Sequence, residues 1–540
     1  MTSSQDDAVL TLPELLKSQA EARPDSVYAI FPDASITFGG LLARSTALAK
    51  GLIALGLEPG QHVGIMMPNC LHFLVAHFAI QLAGGKSILF NARFKQNEIA
   101  YVTPHSDVRF LITTDCIKAH VDFTALFEAA FPALKTASKA APIVLPEAPL
   151  LERLIMFGDA DWAPALSEGD LAALGSGIGD ERQSRSHAGQ DPEHCAVMIY
   201  TSGTMSTPKA CKLTHASLQR SWRIYARSVG LMAGEKVWDP MPFFHSGGIG
   251  LMTGIMARGA VILSSPHYDP DQIARLIEEH RVEHLYPGFH TLSLPVLRSA
   301  HYNRERWSEF LRDMVNVGPL GTQYVIRDLL PDGVPIMNLF GMSESSGLFT
   351  LTPIDGPEEK RLAASGTPRF GAEVRIIDPE TMEVLPAETR GEIEFRGAGA
   401  FLGYYKDPVL NRYAIRPDGW IRTGDLGVID QEGWLYFLGR LKDMLKVGGE
   451  NVAAAEIESF LSRHRGVKFV QVLGKPDERM GEIPVAFVER NPGMDVSEDD
   501  IVSFCKGAIA SYKIPRQVIF VTEWPMSATK VQKFRLRELL

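Results

Sequence analysis

One stretch constrains this chain more than any other: Met198-Ile-Tyr-Thr-Ser-Gly-Thr-Met-Ser-Thr-Pro-Lys-Ala-Cys-Lys-Leu-Thr-His215, an apolar run that breaks into hydroxyls and a glycine and resumes after a lysine. The pattern predicts strand, anion-binding loop, strand. Gly203 lets successive backbone N–H groups converge on an anion, Thr201, Ser202 and Thr204 add hydroxyl donors, and Lys209 adds a positive charge, a set suited to a polyphosphate. A Walker loop would need Gly-Lys followed by Ser or Thr at the mouth of a helix. Here Pro208 precedes Lys209 and Ala210-Cys211 follow, so a Walker NTPase is not expected. Taken alone, the stretch reads equally as a Ser/Thr/Gly-rich surface turn, and the rest of the chain has to decide.

The surroundings alternate in the way of parallel βαβ units. Ile36-Thr37-Phe38 leads into a helical face of Leu41, Leu48, Leu52 and Leu55 that Gly56 ends; His62 to Met67 reads as a strand, Leu71 to Leu82 as a helix and Lys86 to Phe90 as a strand. The unit recurs at 260–263, 269–280 and 282–286, with Asp269 as helix N-cap and Pro270 at the first helical position. An α/β fold of doubly wound sheets is expected. Residues 131 to 192, rich in Ala, Pro, Gly and Ser, are expected to form a surface excursion. From about 375 short strands dominate (374–378, 391–395, 434–437), predicting a small β-subdomain. After Gly439-Arg-Leu-Lys-Asp443 an α+β pattern resumes, with a helix over 453–463 burying Ile457, Phe460 and Leu461 and a strand over 469–473. The expected division is a large domain over 1–441 and a mobile lid domain over 442–540.

Composition narrows the function. With 540 residues, 45% of them hydrophobic, the chain can bury a large core. A net charge of −10 argues against a nucleic-acid partner, so an anionic substrate must be met by local charges. The five cysteines, Cys70, Cys116, Cys195, Cys211 and Cys505, are scattered without a CxxC pair, against a disulfide framework or zinc site. The polar, acidic opening Met1-Thr-Ser-Ser-Gln-Asp-Asp and the lack of an apolar run of about 18 residues predict a cytoplasmic protein without a membrane span. A homodimer is left open.

Five further stretches follow in order: Asp239-Pro-Met-Pro-Phe-Phe-His-Ser-Gly-Gly-Ile-Gly250, Leu339-Phe-Gly-Met-Ser-Glu344, Asp418-Gly-Trp-Ile-Arg-Thr-Gly-Asp425, Gly439-Arg-Leu-Lys-Asp-Met-Leu-Lys-Val-Gly-Gly-Glu-Asn-Val452 and Trp524-Pro-Met-Ser-Ala-Thr-Lys-Val-Gln-Lys533. With the loop they resemble the motifs of the AMP-forming acyl-adenylating enzymes (acyl-CoA synthetases, adenylation domains, firefly luciferase) over about residues 30 to 540. The loop resembles the family's YTSGTTGxPKG, with Met205, Ser206 and Ala210 in place of Thr, Gly and Gly. The second stretch resembles YGxTE, with Phe for Tyr and Ser for Thr; the third resembles WxxTGD. Ala454 stands where the family usually has Pro, and the last stretch lacks the family's Gly and is one residue short.

The resemblance implies roles. His245 would lie at the acyl site, where Gly247, Gly248 and the Gly318-Pro-Leu320 segment leave room. Phe340, beside Gly341, would stack on adenine, Ser343 would meet the α-phosphate, and Glu344, with Thr204, would hold Mg²⁺ with phosphate oxygens. Asp425 and Arg440 would bind ribose, Lys442 would be the pivot, Lys446 and Gly448-Gly449 would serve the pantetheine path, and Lys530 would reach the carboxylate and α-phosphate. Catalysis would thus fall to Lys530, His245, Glu344 and Lys446. ATP, Mg²⁺ and coenzyme A are implied, for an acyl-CoA synthetase that activates a medium- or long-chain fatty acid, or a bulky alicyclic or steroid-derived acid, through an acyl-AMP. Three alternatives stay open: a ligase loading a carrier protein, although no carrier domain follows Leu540; an aryl-CoA ligase; and a nucleotide-binding homologue with reduced turnover.

Overall fold

The computed structural model describes residues 9–540 except 202–207, 319, 370, 449 and 527–530. Two seven-stranded sheets dominate. In one the order is Ala165–Ser167, Arg153–Phe157, Val108–Thr114, His62–Met66, Lys86–Leu89, Cys195–Thr201, Lys209–Thr214, parallel except for the last strand. The other runs Ile336–Met337, Asp313–Val317, His284–Phe289, Lys236–Trp238, Val261–Leu263, Val27–Phe31, Ala34–Thr37, and it too ends in one antiparallel edge strand.

The helices Leu71–Leu82 and Ser246–Arg258 are apolar almost all round and bury nearly every residue, as helices enclosed within a core must. One apolar core contains Val63 and Ile199 from the first sheet together with Ile262 and Val315 from the second. Asn69 adds a polar tie, its amide donating to Met241 O at 2.8 Å and to Ser264 Oγ at 3.1 Å. The expected α/β units are present, including the Asp269 cap, which accepts from the Asp271 and Gln272 backbone N–H groups.

The region 131 to 192 departs from expectation. It is no surface excursion: Arg153–Phe157 and Ala165–Ser167 extend the first sheet, and Glu168–Gly175 packs against Phe38–Ala54. The strand Arg-Leu-Ile-Met-Phe buries four of five residues, but Pro- and Ala-rich flanks dilute its apolar run.

Antiparallel strands Ala372–Ile377, Gly391–Gly397, Ile421–Ile429 and Leu435–Arg440 form the small β-subdomain. Beyond it Met444–Val447, Glu450–Ala453, Val467–Asp477, Gly481–Arg490 and Gln517–Phe520 form a separate sheet. Its apolar clusters draw only on residues from 445 onward. The helix there is Ala454–Leu461, with Ile457 and Leu461 buried and Phe460 half-buried. Among the described residues no helix is long and apolar enough to cross a membrane.

Candidate active site

The hairpin of Cys195–Thr201 and Lys209–Thr214 places Thr201 opposite Lys209 at the open end of the first sheet. The strand–loop–strand reading therefore holds on both flanks. Ser202, Gly203 and Thr204, with Met205 and Ser206, lie outside the described residues. The Lys209 ammonium stands 5.7 Å from the centre of the Tyr404 ring, within cation–π range.

Glu344 lies in the short helical turn Ser343–Ser345 and is 9% exposed. The Tyr404 hydroxyl donates to its Oε1 at 2.5 Å. Burial, and then the nearby Glu344 carboxylate, push the Tyr404 phenol far above its ordinary range, so it remains a donor. Tyr404 belongs to a strap, Phe401-Leu-Gly-Tyr-Tyr405, that binds both neighbours through its backbone. Leu402 N–H donates to Lys212 O (2.9 Å), Lys212 N–H to Gly403 O (3.1 Å), Tyr405 N–H to Ala210 O (2.8 Å) and Phe401 N–H to Glu344 O (2.9 Å). Loop hairpin and acidic turn are thus fixed relative to one another. Sequence reasoning missed Tyr404, since nothing in the spacing of 401–405 connects it to a carboxylate 60 positions away.

The segment after Lys236–Trp238 brings in a second group. Asp239 is fully buried, which pushes its carboxyl well above the carboxylate range although it accepts the Met241 N–H at 3.0 Å. His245 immediately precedes the helix Ser246–Arg258 and is half-buried, its ring centre 4.8 Å from that of Phe244. Ser246 Oγ lies 3.4 Å from Ser343 Oγ, so the expected acyl segment and the expected phosphate segment meet. The room expected beside Gly248 is absent: a side chain there would collide with the Pro242 carbonyl, because this glycine permits the helix and preceding loop to touch. At Gly247 an added Cβ would meet, among the described residues, just the flexible tip of Met241, at 3.0 Å. Gly318 follows the strand Asp313–Val317, with the His290 ring 3.0 Å from where its Cβ would be. Gly341 needs to be glycine for another reason, since a side chain would strike the Gly347 carbonyl.

The β-subdomain brings further expected residues together. Asp425 and Arg440 face each other on paired strands and form an ion pair, Nε to Oδ1 2.8 Å, with Asp425 almost fully buried. Two residues before Arg440's neighbour Gly439, the half-exposed Phe437 ring stacks on Phe340 at 5.3 Å and 28°. One strand therefore links the expected adenine and ribose residues.

Lys446 and Gly448 lie on the separate C-terminal sheet. Their backbone N–H groups donate within it, to Glu482 Oε2 and Met480 O, both at 2.7 Å. Gly449 and Lys530 lie outside the described residues. Lys533 is tied down by Glu458 (2.8 Å) and Val472 O (3.3 Å).

Known proteins resemble this chain along nearly its whole length. YngI of Bacillus subtilis (strain 168), assigned by name as an acyl-CoA synthetase, is 31% identical over 98% of this chain and 96% of its own. A 3-[(3aS,4S,7aS)-7a-methyl-1,5-dioxo-octahydro-1H-inden-4-yl]propanoyl:CoA ligase of Mycobacterium tuberculosis is 29% identical over 98% of this chain and 99% of its own. The crystal structure of ATP-bound MatB from Rhodopseudomonas palustris superposes with a TM-score of 0.83 at 24% identity, covering 98% of this chain and 99% of that one, and shows the same fold. Residues 16–405 match the AMP-binding enzyme family and residues 456–530 its C-terminal domain. The chain belongs to the AMP-binding enzyme family, among its AMP-forming acid–CoA ligases.

Proposed function

We propose that the protein joins a carboxylic acid to coenzyme A in two steps, through an acyl-adenylate. A carboxylate is too poor an electrophile for a thiol to attack, so it first attacks the α-phosphorus of ATP and expels pyrophosphate; the thiol of coenzyme A then displaces AMP. The observation that carries this reading is the convergence of a buried carboxylate, Glu344, and a lysine, Lys209, on Tyr404 beside the loop hairpin.

Glu344 fits Mg²⁺, which favours one or two carboxylates together with substrate phosphate oxygens, and one Glu344 oxygen is already oriented by Tyr404. Bound there with Thr204, the ion would neutralise charge on the leaving pyrophosphate. Lys209, Ser343 and the loop donors hold the phosphates, Phe340 takes the adenine, and Asp425 with Arg440 takes the ribose. His245 borders the acyl group. Catalysis of the first step is then positioning and charge stabilisation.

The division at Lys442 makes residues 442–540 a lid that turns between the steps. It presents Lys530 for adenylation and the face with Lys446, Gly448 and Gly449 for the thiol. The separate apolar clusters of the two parts support this. For the acid itself, the small residues Gly247 and Gly318 and the bicyclic acid named for the Mycobacterium tuberculosis relative favour a bulky alicyclic acid. Pyrophosphate release from a panel of carboxylic acids, with and without coenzyme A, tests the reading. Release that needs an acid, with thioester formed only when coenzyme A is added, is expected; release from no acid in the panel refutes it.

A further inference from the structure

We propose that Cys70 and Cys116 form a redox modification site, a dithiol that a peroxide closes to a reversible disulfide, and that the closed form slows adenylation through the segment leading to His245. The effect on adenylation rests on the proposed function; the disulfide does not.

Strand pairing brings the two cysteines together. His62–Met66 and Val108–Thr114 are parallel neighbours in register at Met66 and Thr113, so the chain leaves both strands at the same end of the sheet. Cys70 follows the first strand and Cys116 the second. The Thr114 hydroxyl joins the two exits: its Oγ1 lies 3.1 Å from His72 Nδ1 and accepts the Cys116 N–H at 3.2 Å. Both cysteines are free thiols, and they are hydrogen-bonded to each other.

The pair is asymmetric in the way a disulfide-forming dithiol requires. Cys116 is exposed, whereas Cys70 is 4% exposed. The hydrogen bond from Cys70 holds the Cys116 thiol below its ordinary range, outweighing desolvation and the Asp115 and Asp33 carboxylates; burial pushes the Cys70 thiol well above its own. Cys116 is therefore the group that meets the oxidant and Cys70 the one that resolves it. Of the other cysteines, Cys211 and Cys505 are buried, and burial pushes the half-buried Cys195 up to about 11.

One peroxide balances the reaction. The Cys116 thiolate attacks a peroxide oxygen and the O–O bond breaks; the departing oxygen takes up the proton that the thiol gave up, and Cys116 becomes a sulfenic acid. The Cys70 sulfur then attacks the Cys116 sulfur. The S–S bond forms, the S–O bond breaks, and hydroxide leaves as water with the Cys70 proton.

Cys70 sits between two residues that hold the segment before His245. On one side Asn69 Nδ2 donates to Met241 O at 2.8 Å, and its Oδ1 accepts the Phe243 N–H at 2.8 Å. On the other, the Phe73 ring lies 5.5 Å from that of Phe243. Cys70 is also the N-cap of the helix Leu71–Leu82, but its side chain makes no cap bond that oxidation would break. A disulfide draws two sulfurs from contact distance to about 2.05 Å. A close-packed interior passes such a movement on, and here Asn69 and Phe73 carry it to Phe243.

The test treats the full-length wild type, Cys116→Ser and Cys70→Ala, all first reduced, with hydrogen peroxide. The wild type should lose two hydrogens in intact mass and yield a disulfide-linked peptide pair containing Cys70 and Cys116. Its pyrophosphate release should fall about tenfold, within the roughly 10²-fold that a 1 Å misplacement can cost, and dithiothreitol should restore mass and activity. Cys116→Ser should match the wild type before peroxide and keep its activity afterwards. Cys70→Ala should collect sulfinic acid at Cys116; if it does not fold, Cys116→Ser decides. A wild type in which Cys116 is oxidised without a link to Cys70 overturns the site. A linked protein with unchanged release overturns the coupling to His245. If no acid supports release, the proposed function fails while the mass readout still decides the disulfide.

Discussion

The loop hairpin with its strap and the C-terminal sheet treat their functional residues in opposite ways. Around Glu344, segments nearly 200 residues apart in sequence are laced together: backbone bonds from 401–405 reach Ala210, Lys212 and Glu344, and the Tyr404 hydroxyl closes on the carboxylate. The C-terminal sheet instead satisfies Lys446 and Gly448 from within and keeps its apolar clusters to itself. Its links outward are modest, such as His290 against Phe469 at 6.4 Å and the exposed pair Arg390–Glu456 at 4.0 Å. The first group is braced by distant chain, whereas the second rides on a body with its own core, as the proposed alternation of its two faces requires.

The comparison can be attacked first where its effect should be greatest. Glu344→Gln should abolish Mg²⁺-dependent adenylation while the melting temperature changes little, because the amide keeps the shape and an acceptor for Tyr404; normal pyrophosphate release would remove Glu344 from the braced site. Next comes the half proposed to move. Lys530→Ala should slow adenylate formation about 10²–10³-fold, the scale of one preorganised charge-stabilising donor, yet spare thioester formation from supplied acyl-adenylate. A bulky residue at Gly449 should do the reverse. Equal slowing of both half-reactions by Lys530→Ala would mean that the two faces do not alternate. Lys533, held by Glu458 and Val472, is then a poor replacement.

Smaller effects sharpen the picture of the braced half. Gly248→Ala should lower unfolding stability by about 1–3 kcal/mol, the usual cost of overpacking, as read from denaturant midpoints, since the added methyl meets the Pro242 carbonyl. A stable variant with an altered acid preference would return Gly248 to the pocket. Tyr404→Phe should weaken ATP binding in the presence of Mg²⁺ by roughly fivefold, about 1 kcal/mol for one hydrogen bond, measured by calorimetry. An unchanged affinity would make the strap a structural tie alone.

Much of this was legible in advance where the signal is local. The hairpin flanks, the Leu71–Leu82 helix and the Asp269 cap follow from periodicity and capping chemistry that act within a few residues. The family motifs pointed to Phe340, Glu344, Asp425 and Arg440, and the fold pairs Asp425 with Arg440 while it sets Phe340 on Phe437 and Glu344 on Tyr404. What escaped depends on contacts far along the chain. Tyr404 looks like any tyrosine after a glycine, Gly248 looks like open space until Pro242 lies against it, and the strand Arg153–Phe157 is hidden by its flanks.

The strap also bears on how the protein is made. Lys209–Thr214 is the last strand of its sheet, and the hydrogen bonds on its outer side are made with Lys212 and Ala210 by residues 402–405. A chain emerging from the ribosome exposes this edge from about residue 214 until residue 405 is free, a delay of roughly 10–40 s at 5–20 residues per second. An unpaired edge is a template for wrong partners over that interval. Nascent chains cut between 220 and 400 should therefore aggregate more readily than those cut just past 414, and only the latter should protect the hairpin amides from exchange.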